Sequence, residues 1–153
     1  MIKLRAMTEA DRDAVLRLQV SPEQGAFVDP LVETLATTAL RNDNYVMEAA
    51  GEIVGYFQID SSSGKQTMAD NLELHEVLID VAHQGKGYGK LFIQQLRAFL
   101  TETYPDWSSV CLTVNCRNTH AYRLYAFGGF IDTGDLYLEG RSGPQHIMVL
   151  PLR

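Results

Sequence analysis

The sequence predicts a single mixed α/β domain, and three observations carry that expectation. Segments rich in β-formers alternate with amphipathic helical ones in the order strand, two helices, three strands, helix, strand, helix, two strands. A glycine-rich turn joins the fourth strand directly to a helix. The 153 residues suit one compact core, and no linker or internal repeat divides them, so residues 1–153 read as one domain.

Ile2 to Met7 alternates as a first strand, and Thr8, three residues before Asp11, opens a helix through Ala14, Val15, Leu16 and Leu18 that Ser21 and Pro22 end. A second helix is expected from about Asp29 or Pro30 to Arg41, with Leu31, Leu35 and Leu40 on its apolar side. Tyr45–Ala49 and Ile53–Ile59 flank Gly51 and Glu52 as a hairpin, and Ser61 to Lys65 reads as a loop. Leu72–Asp80 is the next strand. Phe92, Ile93, Leu96, Phe99 and Leu100 then fall at helical spacing until Pro105. Val110–Asn115 is a buried strand with Leu112 and Val114 on one face, and a short helix from about Asn118 to Phe127 is closed by Gly128 and Gly129. Phe130–Leu138 and His146–Leu150 pair as a terminal hairpin across Gly140, Ser142, Gly143 and Pro144.

Charge and composition narrow the function. Thirteen Lys and Arg against 19 Asp and Glu leave a net charge of −6, which disfavours broad phosphate-driven nucleic-acid binding and suits a cationic small substrate. Cys111 and Cys116 read as reduced intracellular thiols. His75, His83, His120 and His146 show no metal-ligand spacing, so no metal is expected. The N-terminus lacks the apolar core of a signal peptide, and no segment approaches the ~18 apolar residues of a membrane span, so a cytoplasmic protein without membrane partners is expected.

The turn Gln84, Gly85, Lys86, Gly87, Tyr88, Gly89 carries the chemistry. A strand that stops at alternating glycines and resumes as a helix leaves several backbone N–H groups aimed at one place, where the helix dipole adds positive charge. A pyrophosphate is the natural guest. Positive φ is expected at Gly85, Gly87 and Gly89. The dinucleotide fingerprint fails because Lys90 stands where its third glycine belongs, and no Gly-Lys pair is followed by Ser or Thr as a Walker loop requires.

Gln84 to Gly89 resembles the Gln/Arg-x-x-Gly-x-Gly/Ala signature of the GNAT N-acetyltransferase superfamily. Downstream, Asn118, Ala121, Leu124, Tyr125, Gly129 and Phe130 resemble its second signature, Asn-x-x-Ala-x-x-Leu-Tyr-x-x-x-Gly-Phe. The resemblance implies a mixed, mostly antiparallel sheet flanked by helices, with two central parallel strands, Leu72–Asp80 and Val110–Asn115, splayed to seat acetyl-CoA. It implies that Gln84, Gly85, Lys86, Gly87, Tyr88 and Gly89 hold the pyrophosphate, with Lys86 and Lys90 either assisting or remaining solvated charges. By the same resemblance, main-chain groups of Val77, Leu78 and Ile79 bond the pantetheine arm, and an N–H near Leu78 polarises the thioester carbonyl.

Asn118 and Tyr125 stand seven residues apart, on one helix face. The resemblance gives Tyr125 the role of general acid to the leaving thiolate and lets Asn118 meet the cofactor arm; the alternatives are core packing for Tyr125 and a helix cap for Asn118. Tyr122 reads as packing. A primary amine is charged at neutral pH, so a base or ammonium-holding carboxylate is required. Glu73 occupies a position resembling the catalytic glutamate of some histone acetyltransferases. Glu76 is closer to the thioester, but alternation sends it to the opposite face from Glu73 unless a bulge intervenes. Glu73 ranks before Glu76, and His75 is a third candidate.

Acetyltransferases of the ribosomal-protein type carry a glutamate where Thr113 stands here, which disfavours that class. Val20, Pro22, Glu23, Gln24, Phe27 and Val28 in the N-terminal half, with Thr133, Gly134 and Met148 in the terminal hairpin, loosely resemble bacterial spermine/spermidine acetyltransferases. The expected activity is direct, acetyl-CoA-dependent acetylation of a primary amine on a small cationic metabolite such as a polyamine, without a cysteine acyl-enzyme. The alternatives left open are acetylation of a peptide N-terminus or lysine, a non-catalytic acyl-CoA sensor, and a protein-interaction module. Pairing into a homodimer is also left open by the resemblance.

Overall fold

The computed structural model describes residues 1–20, 42–61, 71–140 and 142–153. The expected helix at 29–41, most of the loop after Ser61, and the resemblance-bearing positions 22–28 lie outside the described residues.

Seven strands form one sheet in the order β1-β2-β3-β4-β5-β7-β6. They are β1 (Lys3–Ala6), β2 (Asp43–Ala49), β3 (Glu52–Asp60), β4 (Asn71–Ile79), β5 (Ser109–Asn115), β6 (Ile131–Tyr137) and β7 (Gln145–Pro151). All neighbours pair antiparallel except β4 with β5. Three α-helices accompany the sheet among the described residues: α1 (Arg12–Leu16), α2 (Tyr88–Thr103) and α3 (Thr119–Phe127). No helix among the described residues is long and apolar enough to cross a membrane.

Sheet alternation divides the core in two. On one face Phe92, Ile93, Leu96 and Leu100 of α2 pack on Phe57, Leu72, Leu112 and Met148. This cluster reaches from β1 to β7, so α2 ties both halves of the sheet. On the other face Val15 of α1 and Leu18 pack on Val46, Tyr56 and Leu78.

Local chemistry explains where elements differ from expectation. Asp11 accepts from the Thr8 backbone N–H at 2.8 Å and from Arg5 at 2.7 Å, and the guanidinium holds its carboxyl well below the usual range. That start is a single tight turn over Glu9–Asp11, and α1 proper ends at Leu16, before the expected Ser21. The β2–β3 turn falls on Ala50 and Gly51, with φ of 52° and 81°, one residue earlier than expected. Two consecutive positive φ values match the right-handed twist of a two-residue hairpin, and Glu52 is released into β3.

Candidate active site

β4 and β5 pair over Asn71–Glu73 and Ser109–Cys111 and no further. Both strands continue, β4 held by β3 and β5 by β7, so a cleft opens between them from Leu74 onward. Asp80 N–H donates to the Val54 carbonyl of β3 at 2.9 Å, and Leu78 is paired with Tyr56 of the same strand. Main-chain groups two residues apart face the same side, so Leu78 turns to β3, whereas Val77 and Ile79 face the cleft. The carbonyl of Ile79 accordingly accepts from Gln84 Nε2 at 3.2 Å. This corrects the expected place of Leu78: its N–H is directed to the sheet.

The chain leaves β4 through a tight turn at Val81–His83 and enters α2 through the glycine loop. Gly85 and Gly87 have φ of 82° and 80°, and a Cβ at either would meet open space, so the loop presents bare backbone outward. Gly89 lacks the expected positive φ. A Cβ there would lie 3.4 Å from Leu124 Cδ2 and 3.6 Å from Ile79 Cδ1, ordinary packing distances that place the start of α2 beside α3 and the end of β4. The exposed amides of the first turn and the empty space above Gly85 and Gly87 fit a phosphate-bearing ligand. Lys86 is exposed beside them, while the Lys90 ammonium lies 5.5 Å from the Phe127 ring centroid. Tyr88 is half-buried, its ring near His83.

The condition on Glu76 is met by a bulge. Gln58 faces His75 and Tyr56 faces Leu78, so three steps along β4 match two along β3. The extra residue is accommodated at Glu76, whose φ is 55°. A non-glycine residue in that region costs about 1–2 kcal/mol, a strain that concentrates at functional sites. The bulge reverses the alternation, and Glu76 shares the Tyr56 side of the sheet, where its charge helps raise the Tyr56 phenol to about 12, after burial as the larger cause. Burial in turn raises the Glu76 carboxyl, opposed by His75, and Glu76 Oε2 has no hydrogen-bond partner among the described residues. Glu73 lies at the last paired rung, with Oε2 3.1 Å from His75 Nε2.

Asn118 caps α3, its side chain accepting from Ala121 N–H at 3.3 Å. Tyr125, two turns on, is 9% exposed and packs edge-on against Phe130 at 5.6 Å. Its hydroxyl makes no hydrogen bond among the described residues, and burial pushes the phenol well above its ordinary value, so it stays protonated. Contacts of Leu124 at Gly89 bring this helix to the mouth of the cleft. Tyr122 instead donates to Asp132 at 3.0 Å, and its ring lies tilted against that of His146, 4.8 Å between centroids. Cys111 is buried, and burial aided by the Glu73 charge pushes its thiol up to about 12, which unfits it as a nucleophile.

The profile of the acetyltransferase (GNAT) family matches residues 12–130. A spermine/spermidine N(1)-acetyltransferase of Bacillus subtilis is 28% identical over 153 residues, covering 92% of this chain and 95% of that protein. Among solved structures, spermidine N-acetyltransferase from Vibrio cholerae in complex with CoA and spermine superposes with a TM-score of 0.73 at 21% identity, over 99% of this chain and 95% of that one. An aminoglycoside acetyltransferase, AAC(6')-Ib, in complex with coenzyme A gives 0.76 at 23% identity, with the same two coverages. At these identities the two structures establish the shared fold.

Proposed function

Since the chain belongs to the acetyltransferase (GNAT) family, we propose that it transfers an acetyl group from acetyl-CoA directly to a primary amine of a small cationic metabolite, with a polyamine as acceptor. The observation that carries this reading is the cleft between β4 and β5, which leaves Val77 and Ile79 without a strand partner on the β5 side, beside an outward-facing glycine loop. Acetyl-CoA supplies, when bound, an acyl group activated as a thioester.

The chain's own residues divide the remaining work. Amides of the Gly85–Lys90 loop and the α2 N-terminus hold the pyrophosphate, and Asn118 meets the pantetheine arm with the side-chain amide its cap leaves over. The N–H of Val77 or Ile79 donates to the carbonyl oxygen as negative charge gathers there. Glu76 takes the proton of the incoming ammonium, and its elevated pKa brings it nearer the operating pH than an ordinary carboxylate. We assign this role to Glu76 over Glu73, because Glu73 is engaged with His75 where the two strands still pair. Tyr125 gives its hydroxyl proton to the departing sulfur.

A polyamine acceptor is supported by the Bacillus relative's activity and by the net charge of −6. A product screen over polyamines, aminoglycosides and short peptides tests it: acetylated spermidine or spermine is expected, and no turnover on any polyamine overturns the acceptor. The loop is tested separately by Gly87→Val. A branched side chain at a φ of 80° is strained and fills the space meant for phosphate. Calorimetry should show acetyl-CoA bound at least about tenfold more weakly, equivalent to about 1.4 kcal/mol, and an unaltered Kd removes the loop from the binding site.

A further inference from the structure

We propose that Asp80 is a positioning residue that joins the cofactor loop to the wall of the acceptor side, so that CoA held by the glycine loop tightens α1 against the sheet. The inference rests on the assignment of that loop to the pyrophosphate. All four polar groups of Asp80 are engaged, and they reach three parts of the chain. Its N–H donates to the Val54 carbonyl of β3 at 2.9 Å, and its carbonyl accepts from the His83 N–H at 2.8 Å. Its Oδ1 accepts from the Gln19 N–H at 3.0 Å, and its Oδ2 lies 3.2 Å from His83 Nδ1. An ionised carboxylate only accepts, so Nδ1 of His83 carries the proton. Gln19 is gripped a second time, its carbonyl accepting from the Val81 N–H at 2.6 Å. The two residues that follow β4 thus hold Gln19 and at the same time root the turn that leads into Gln84–Gly89.

What this grip controls is the place of α1. A helix of five residues cannot hold itself, so its position depends on what it docks against. Val15 and the following Leu18 pack on Tyr56 and Leu78, on the sheet face that carries Glu76. Gln19, next in the chain, is then fixed to Asp80. Contacts that still the glycine loop also still His83 and Asp80, and through them Gln19. A ligand that orders one end of such a run of bonds lowers the cost of ordering the other, and the coupling is reciprocal.

The latch is read without any acceptor. Amide hydrogen exchange is followed in peptides spanning 12–20, with and without CoA, beside calorimetry of CoA binding. CoA should slow exchange at Gln19 and in α1 by at least about fivefold, the lower end of ordinary coupling between sites. Asp80→Ala should remove that added protection and weaken CoA binding by about tenfold, as expected for hydrogen bonds left without their acceptor. Asp80→Asn should restore both, because the amide oxygen still accepts from Gln19 and the NH2 can face the other tautomer of His83. A residue that only stabilised the fold would lower the melting temperature in the alanine variant and leave the CoA-dependent protection in place, which overturns the latch. Gln19→Pro removes the same bond from its other end, outside the glycine loop. It should also weaken CoA binding, and combining it with Asp80→Ala should cost no more than either change alone. Should a variant fail to melt cooperatively, the unaltered protein and Asp80→Asn decide the matter. CoA bound by the unaltered protein with no added protection of α1 overturns the latch and leaves the acetyl-transfer reading standing. No CoA binding at all fails that reading first, and the latch with it.

Discussion

Tyr125→Phe is expected to lower kcat by about 10²–10⁴-fold while leaving the acetyl-CoA Kd and the melting temperature unchanged. The reason lies in what the hydroxyl does not do. It makes no hydrogen bond among the described residues, and the ring is held by Phe130, so phenylalanine keeps the packing and removes a single O–H. Burial raises that phenol above its ordinary value, so the O–H is protonated around neutral pH and its loss is felt there. Steady-state kinetics with thiol release, beside calorimetry, separates the two effects. A kcat equal to that of the unaltered protein would leave Tyr125 a packing residue.

Glu76→Gln should have a comparable effect on kcat/KM, about 10²–10⁴-fold, and should act in the opposite direction on stability. The unaltered carboxyl has a folded-state pKa raised by burial. Below that value it is protonated and cannot accept a proton, so kcat/KM of the unaltered protein falls on the acid side, a limb the glutamine variant lacks. For stability, the folded state binds the proton more tightly than the unfolded one. The favourable contribution is therefore present below the ordinary glutamate value and is lost as pH rises through the raised one. At neutral pH the glutamine variant should melt higher than the unaltered protein, and the difference should shrink on acidification. A variant that keeps its activity, or melts lower at neutral pH, would show that Glu76 is neither the proton acceptor nor an uncompensated buried charge.

Among the described residues the strand and helix order was legible because the signals are local: alternation in Leu72–Asp80, helical spacing from Phe92 to Leu100, and the glycine loop between them. A spaced motif placed Asn118 and Tyr125 on one helix, and the structure shows Asn118 as its cap, one of the two readings the sequence left open. What was hidden depends on pairing. The bulge at Glu76 exists only relative to the register of β3, and it decides both which face Glu76 takes and where the alternation of β4 is reset. The facing of Leu78 follows from the bond between Asp80 and Val54, 26 residues apart in sequence. Gly89 differs from the expected positive φ because it already lies in the first turn of α2.

The three parallel rungs between β4 and β5 have a mechanical consequence. Among the described residues they are the sole ladder joining a four-stranded half-sheet to a three-stranded one, so a widening or narrowing of the cleft would pivot about Asn71–Glu73, with α2 packed across both halves as the strap that limits the swing. Stiffness in this molecule is thus concentrated away from the chemistry, and a change at the pivot will be amplified with distance along the diverging strands.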